Sequence, residues 1–183
     1  QRFRIIHAQL INESLLERMK RLPLVIDIQP SFVSTDLHWV KDRLGEGRLR
    51  KKAYAWKTML DAGLILTGGS DCPVVSYNPF EGIFAAVTRE DWKGHPQEGW
   101  HPEEKLSVYE AICLFSKNAA YATGEEDVKG TIEIGKLADF ISLDRDPFLI
   151  NPIDIQQVKV LKTFVGGEES FIKTDSEINN RFN

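Results

Sequence analysis

Leu64-Ile65-Leu66-Thr67-Gly68-Gly69-Ser70-Asp71-Cys72-Pro73-Val74 is the stretch on which the reading of this chain turns. An apolar run of strand length ends in two glycines, then presents one carboxylate where the backbone leaves the sheet. The glycines let the backbone approach another group closely, and Pro73 ends the ladder. A carboxylate at the C-terminal lip of a parallel strand is where α/β barrels keep their chemistry. The competing reading, an Asp in a Gly-Ser-Asp turn with no further role, is equally compatible with this stretch.

Working outward, the chain alternates strands with helices. Phe3 to Ala8 reads as a buried strand and Leu24 to Ile28 as the next, closed by Pro30. Between them Asn12 caps a helix whose apolar face is Leu15, Leu16, Met19 and Leu22. Thr35 or Asp36 opens a short helix carrying Leu37, Val40 and Leu44, broken at Gly45 and Gly47. A stronger helix runs from about Leu49 to Ala62, with Gly63 at its C-terminal end. Asn78-Pro79 starts a helix with Phe80, Ile83, Phe84 and Val87 on one side. The polar, Gly- and Pro-containing segment from Arg89 to Lys105 is long for a loop. Ser107 and Glu110 have capping-box spacing at the head of a helix reaching about Lys117, and a short helix near Ala119 to Ala122 ends at Gly124.

Past Gly130 the pattern changes to short strands, Thr131 to Ile134, Asp139 to Leu143 and Val158 to Val165, which form a small β unit. Strands alternating with helices imply parallel pairing. Three such strands complete neither a barrel nor a doubly wound sheet, and the late strands have no earlier partners. The first residue is Gln rather than Met. These features together predict that part of the fold lies outside this sequence.

Composition narrows the function. The 183 residues carry a net charge of −4, so no basic surface is available for nucleic acid. No apolar run approaches the roughly 20 residues needed to span a bilayer, and nothing reads as a signal peptide. Cys72 and Cys113 lie far apart with no Cys-x-x-Cys pairing, which fits buried free thiols in a reducing, cytoplasmic setting. Phosphate loops, Gly-x-Gly-x-x-Gly and Gly-x-Ser-x-Gly are absent.

His7 falls near the same lip as Asp71 if the strands are parallel and in register. Imidazole and carboxylate are both good ligands for Zn²⁺ and similar ions, although a His in an apolar strand also suits a satisfied core position. Two ligands fall short of the three that a catalytic zinc site normally takes from the protein. Gln29, with Phe32 nearby, faces the same mouth as a substrate contact or else pairs with backbone in the turn before Pro30. His38 reads as structural on the apolar side of a short helix beside Trp39. His95 and His101 line a lid or are simply solvated, and Cys72 is a nucleophile candidate with no nearby His in sequence.

Several segments together resemble a known family: Arg4-Ile5-Ile6-His7-Ala8-Gln9, Gln29-Pro30-Ser31-Phe32, Gly69-Ser70-Asp71-Cys72-Pro73-Val74, Asn78-Pro79-Phe80 and Ala85-Ala86-Val87-Thr88-Arg89. With Gly130-Thr131-Ile132-Glu133-Ile134-Gly135-Lys136-Leu137-Ala138-Asp139-Phe140, which is similar to a G-x-I-x-x-G-K-x-A-D signature, they resemble the amidohydrolase superfamily, in its YtcJ-like branch related to N-substituted formamide deformylase. The resemblance implies an α/β fold, the C-terminal part of a TIM-like (β/α)₈ barrel (about strands six to eight) plus part of a small β-sandwich domain. It divides the chain into a partial barrel over 1–125, sandwich strands over 126–167 and a polar tail over 168–183. It also implies a metal-dependent hydrolase of non-peptide, amide-type C–N bonds in a small-molecule substrate. A divalent metal, Zn²⁺ by expectation, would be held by His7 and Asp71 and would activate water, with Asp71 shuttling the proton. The sequence departs from the pattern in lacking His-x-His and in carrying Ile6 where an acidic residue is usual. The expectation is therefore a fragment inactive alone that self-associates through open sheet edges. The alternative is a non-catalytic binding or scaffold domain with a degenerate site.

Overall fold

The structure of the chain is a computed structural model that describes residues 2–48 and 53–172. Three parallel strands form the first sheet, β1 (Phe3–Ile6), β2 (Leu24–Ile28) and β3 (Ile65–Gly68), in the order β1-β2-β3. α1 (Glu13–Met19) joins β1 to β2. α2 (Ser31–Asp36), α3 (Val40–Leu44) and α4 (Trp56–Asp61) lie between β2 and β3. Of the helix expected from about Leu49, residues 49–52 lie outside the described residues and 53–55 are not helical, so it is seen only from Trp56. Its described part ends before Gly63, whose φ of 83° suits a residue without Cβ.

Local chemistry sets the helix ends. The Asn12 side chain accepts the Leu15 N–H at 2.8 Å, and Asn78 does the same for Phe80 at the head of α5 (Pro79–Thr88). Ser107 and Glu110 form the anticipated reciprocal cap at α6 (Val108–Leu114). Gly124 ends α7 (Lys117–Thr123) in the left-handed region.

One face of the parallel sheet is dry. Ile26, Ile28 and Leu66 are fully buried against Val33, Met59 and Phe84 from the helices, each side chain contributing about 1.5–3 kcal/mol by its burial. The opposite face carries Arg4, Ile6, Asp27 and Thr67, and there Ile6 is 62% exposed. The face assigned to α1 is only partly inward: Met19 is buried, but Leu15 and Leu22 are exposed.

The second sheet is antiparallel, ordered β4 (Phe140–Leu143), β5 (Val160–Val165) and β6 (Glu168–Ile172). The anticipated strand over Thr131 to Ile134 does not form; this segment has no ladder partner and Ile134 is fully exposed. Conversely, residues 168–172, read as the start of a polar tail, form β6. Gly166 and Gly167, at φ 60° and 85°, make the tight turn that returns the chain from β5. The remaining tail residues, 173–183, lie outside the described residues. Between β4 and β5 a 3₁₀ segment, Pro152–Gln157, sends Ile155 into the core beneath α5, so this part of the chain shares the main hydrophobic core.

Candidate functional site

Parallel register brings the strand ends level. Ile6 pairs with Asp27, Ile28 pairs with Gly68, and the Gly69 N–H donates to the Ile28 carbonyl at 3.0 Å. His7, Gln29 and Asp71 therefore leave the sheet at one edge. His7 does so through a γ-turn: its φ is 72°, and the Ala8 N–H returns to the Ile6 carbonyl at 3.0 Å. Positive φ at a non-glycine turn centre is strained and persists only where the surroundings impose it.

The surroundings are specific. The His7 N–H donates to the Asp27 carbonyl at 2.7 Å. Its ring Nδ1 lies 2.6 Å from Gln29 Oε1, and the ring stacks on Phe32 with centroids 6.2 Å apart. The Gln29 amide nitrogen donates in turn to the Asp27 carbonyl at 3.4 Å. The structure thus brings His7, Gln29 and Phe32 together.

Asp71 stands apart from them. It is exposed in the turn after β3 at φ 55°, with its carbonyl accepting the Val74 N–H at 2.9 Å. Among the described residues, no hydrogen bond or ion pair joins its carboxylate to His7 or Gln29. The described residues also contain no group of three or more His, Cys, Asp or Glu arranged to hold a metal ion. Cys72, expected as a buried thiol, is exposed beside Asp71 because the turn projects beyond the sheet, whereas Cys113 is buried.

One layer below the edge lies a polar network that sequence reasoning missed. The buried Asp27 carboxylate accepts from Arg4 Nε at 2.7 Å and from the Thr67 hydroxyl, tying the three strands together. Its register opposite Ile6 gives the layer a carboxylate where residue 6 supplies none. The available signal was a charged residue inside the apolar run Leu24–Ile28, since an Asp is rarely buried without partners.

Residues 89–105 are no free lid. Arg89 is fully buried; its Nε donates to the Trp100 carbonyl at 2.6 Å and its Nη1 to the Tyr54 carbonyl at 3.1 Å, with the guanidinium between the Trp56 and Trp100 rings. Burial pushes the Arg89 guanidinium down to about 10. Tyr54 closes a link to the strand end: its hydroxyl donates to Asp36 and accepts from Gln9 Nε2 at 3.2 Å. Burial, and then the Asp36 hydrogen bond, push the Tyr54 hydroxyl well above its ordinary range.

His38, expected on an apolar helix face, instead lies in the break between α2 and α3 and points an exposed ring at Asp91, 3.3 Å away. His95 faces the other oxygen of the same carboxylate at 3.9 Å. Burial works against the Asp91 charge, but N–H groups of His95 and Lys93 and the two imidazoles outweigh it and hold the carboxyl low. The His101 side chain is largely covered, edge-on to Trp100 and 3.2 Å from Glu103.

Known proteins are similar in sequence and fold. The chain is 40% identical over 173 residues to the YtcJ amidohydrolase of Bacillus subtilis (strain 168), covering 93% of this chain and 32% of that protein. It is 36% identical over 132 residues to the N-substituted formamide deformylase of Arthrobacter pascens, covering 72% of this chain and 24% of that enzyme. Crystal structures of metal-dependent hydrolases from Pyrococcus furiosus and Pyrococcus horikoshii OT3 superpose with TM-scores of 0.67 and 0.72 at 35% and 30% identity. They cover 79% and 81% of this chain, and 28% and 30% of theirs. The chain thus spans about a third or less of the length of these relatives. The model of the amidohydrolase family matches residues 1–171, and with the relatives in agreement the chain belongs to that family.

Proposed function

We propose that these residues form the C-terminal part of a metal-dependent hydrolase that cleaves amide-type, non-peptide C–N bonds. In this reading β1, β2 and β3 are strands six to eight of a (β/α)₈ barrel, and β4–β6 belong to a small β-sandwich domain. The observation that carries it is the level edge of the parallel sheet, where an imidazole and a carboxylate emerge from separate strands.

His7 and Asp71 have the right donor chemistry for a divalent ion, Zn²⁺ above all. Two donors are fewer than a catalytic zinc site takes from its protein, so the remaining ligands come from outside these residues. When bound, such an ion lowers the pKa of water toward about 7. Asp71, exposed to solvent, would take the proton released as water adds to the carbonyl carbon. It then delivers that proton to the nitrogen as the C–N bond breaks. Phe32 and the strand edge would meet the substrate. The substrate itself is set by loops and by parts of the protein beyond these residues.

The test is metal analysis and turnover of the complete gene product. About one or two Zn²⁺ per chain, lost together with activity in Asp71→Ala, is the expected result. A complete protein without metal, unaffected by that substitution, would establish a scaffold domain instead. The purified 183-residue chain is expected to be inactive, and robust metal-dependent turnover by it would overturn this reading.

A further inference from the structure

The hydrogen bonds around Gln29 fix more than its own position. Its amide has one accepting atom, Oε1, and one donating atom, Nε2, whose two N–H groups can only donate. Nε2 faces the Asp27 main-chain carbonyl at 3.4 Å, and a carbonyl can only accept. Turning the amide over would set two oxygens against each other at a residue that is 7% exposed. Oε1 therefore faces His7 Nδ1 at 2.6 Å, and the proton in that bond has to come from the imidazole. A neutral imidazole has one N–H, so placing it on Nδ1 leaves Nε2 with a free lone pair.

The ring cannot easily evade this. Its backbone is tied in the γ-turn by the Asp27 carbonyl, and Phe32 stacks within 21° of its plane. The same carbonyl that receives the His7 main-chain N–H also orients the amide that holds the His7 side chain. Asp27 is fixed on its other side by Arg4 and Thr67. The chain of control thus runs from the three-strand network to the carbonyl, to the amide, to the imidazole proton.

We propose that Gln29 is a positioning residue that holds His7 as the Nδ1–H tautomer and presents Nε2 as its free nitrogen. Neutral histidine in water favours the opposite tautomer, so the assignment is one the protein has to impose. Use of Nε2 to bind a metal ion rests on the function proposed above; the tautomer does not. A hydrogen-bonded partner on the far nitrogen is how proteins orient a ligating imidazole, and Gln29 is such a partner for His7.

Long-range ¹H–¹⁵N correlation spectra of the ¹⁵N-labelled chain at about pH 8, above the ordinary imidazole pKa of about 6.5, read the tautomer directly. The His7 signal is identified by its loss in His7→Gln. The expected spectrum has the proton on Nδ1. Gln29→Leu should lower the ratio of Nδ1–H to Nε2–H by about five- to tenfold, as loss of one hydrogen bond of ordinary net strength implies. Gln29→Glu, which keeps an acceptor facing the ring, should retain the Nδ1 proton. A wild-type proton on Nε2, or a Gln29→Leu spectrum identical to wild type, would overturn the proposal. If Gln29→Leu does not fold, the wild-type spectrum alone decides. An Nδ1–H tautomer combined with a metal-free complete protein would sink the metal reading and leave this assignment standing.

Discussion

Arg89 is a fully buried cation with no ion pair to a carboxylate among the described residues. It bridges the Trp100 carbonyl to the Tyr54 carbonyl, and so joins a long polar segment to the residues beside the end of β1. Its charge, held down to about 10 by burial, opposes folding below that pH, while its N–H groups favour folding by satisfying two carbonyls. Arg89→Ala removes those donors and leaves a cavity, and should lower the unfolding free energy by about 3–5 kcal/mol. Arg89→Met, which fills the space and removes the charge, should lose less; urea denaturation of both variants measures the difference. Residue-scale features were unevenly legible in the sequence. His7 and Asp71 stood out because reactive side chains followed apolar runs. The γ-turn at His7, the turn of Gln29 toward the imidazole and the partner of Asp27 did not, because each depends on register between strands distant in the sequence.

Two elements meet closely at Phe115. Its ring lies against both Gly68 at the end of β3 and Gly82 in α5, where an added Cβ would meet ring atoms at 2.7 and 2.6 Å. Gly82→Ala should therefore destabilise the fold by about 1–3 kcal/mol through overpacking. Phe115→Leu in the same chain should recover part of that loss, and a double-mutant cycle by thermal melting checks the coupling. The Gly68-Gly69 pair was correctly legible as a place of close approach, but which glycine is approached, and by what, is a long-range fact. Helix caps were legible residue by residue because Asn12, Asn78 and the Ser107–Glu110 pair act within one turn. The break at residues 37–39 and the β5–β6 hairpin were missed: the first had no proline or glycine to mark it, and β6 reads as polar because all of it is exposed. β1 pairs only with β2 among the described residues, and Phe3 and Ile6 are exposed along it. We propose that this edge drives self-association of the isolated chain. Light scattering at micromolar concentration should show species above the monomer, reduced by Ile6→Lys; a monodisperse wild-type monomer would refute it.

Across the whole molecule, acid is the condition that should loosen the fold. Hydrogen bonds from Arg2 hold Glu126 down to about 2, and the carboxyls of Asp91, Glu103, Glu110, Glu125 and Asp144 also titrate below their ordinary values. Glu90, raised by burial, acts in the opposite sense. Depressed carboxyls give stability that is full above the unfolded value of about 4 and is lost as pH falls through the folded values. Urea midpoints should therefore be constant from about pH 7 to about pH 5 and fall steadily below about pH 4. Salt should shrink the effect, because most of these groups are partly solvated. The family and the α/β class were legible from ordered motifs spread over the chain, whereas the joining of the second sheet to the main core through Ile155 was not. The guanidinium of Arg89 between Trp56 and Trp100 has one more consequence. Two of the four indoles sit against a fixed cation, and the other two, Trp39 and Trp92, are partly exposed, so intrinsic fluorescence is a built-in optical reporter of whether residues 89–105 are seated: their release should change the emission of Trp56 and Trp100.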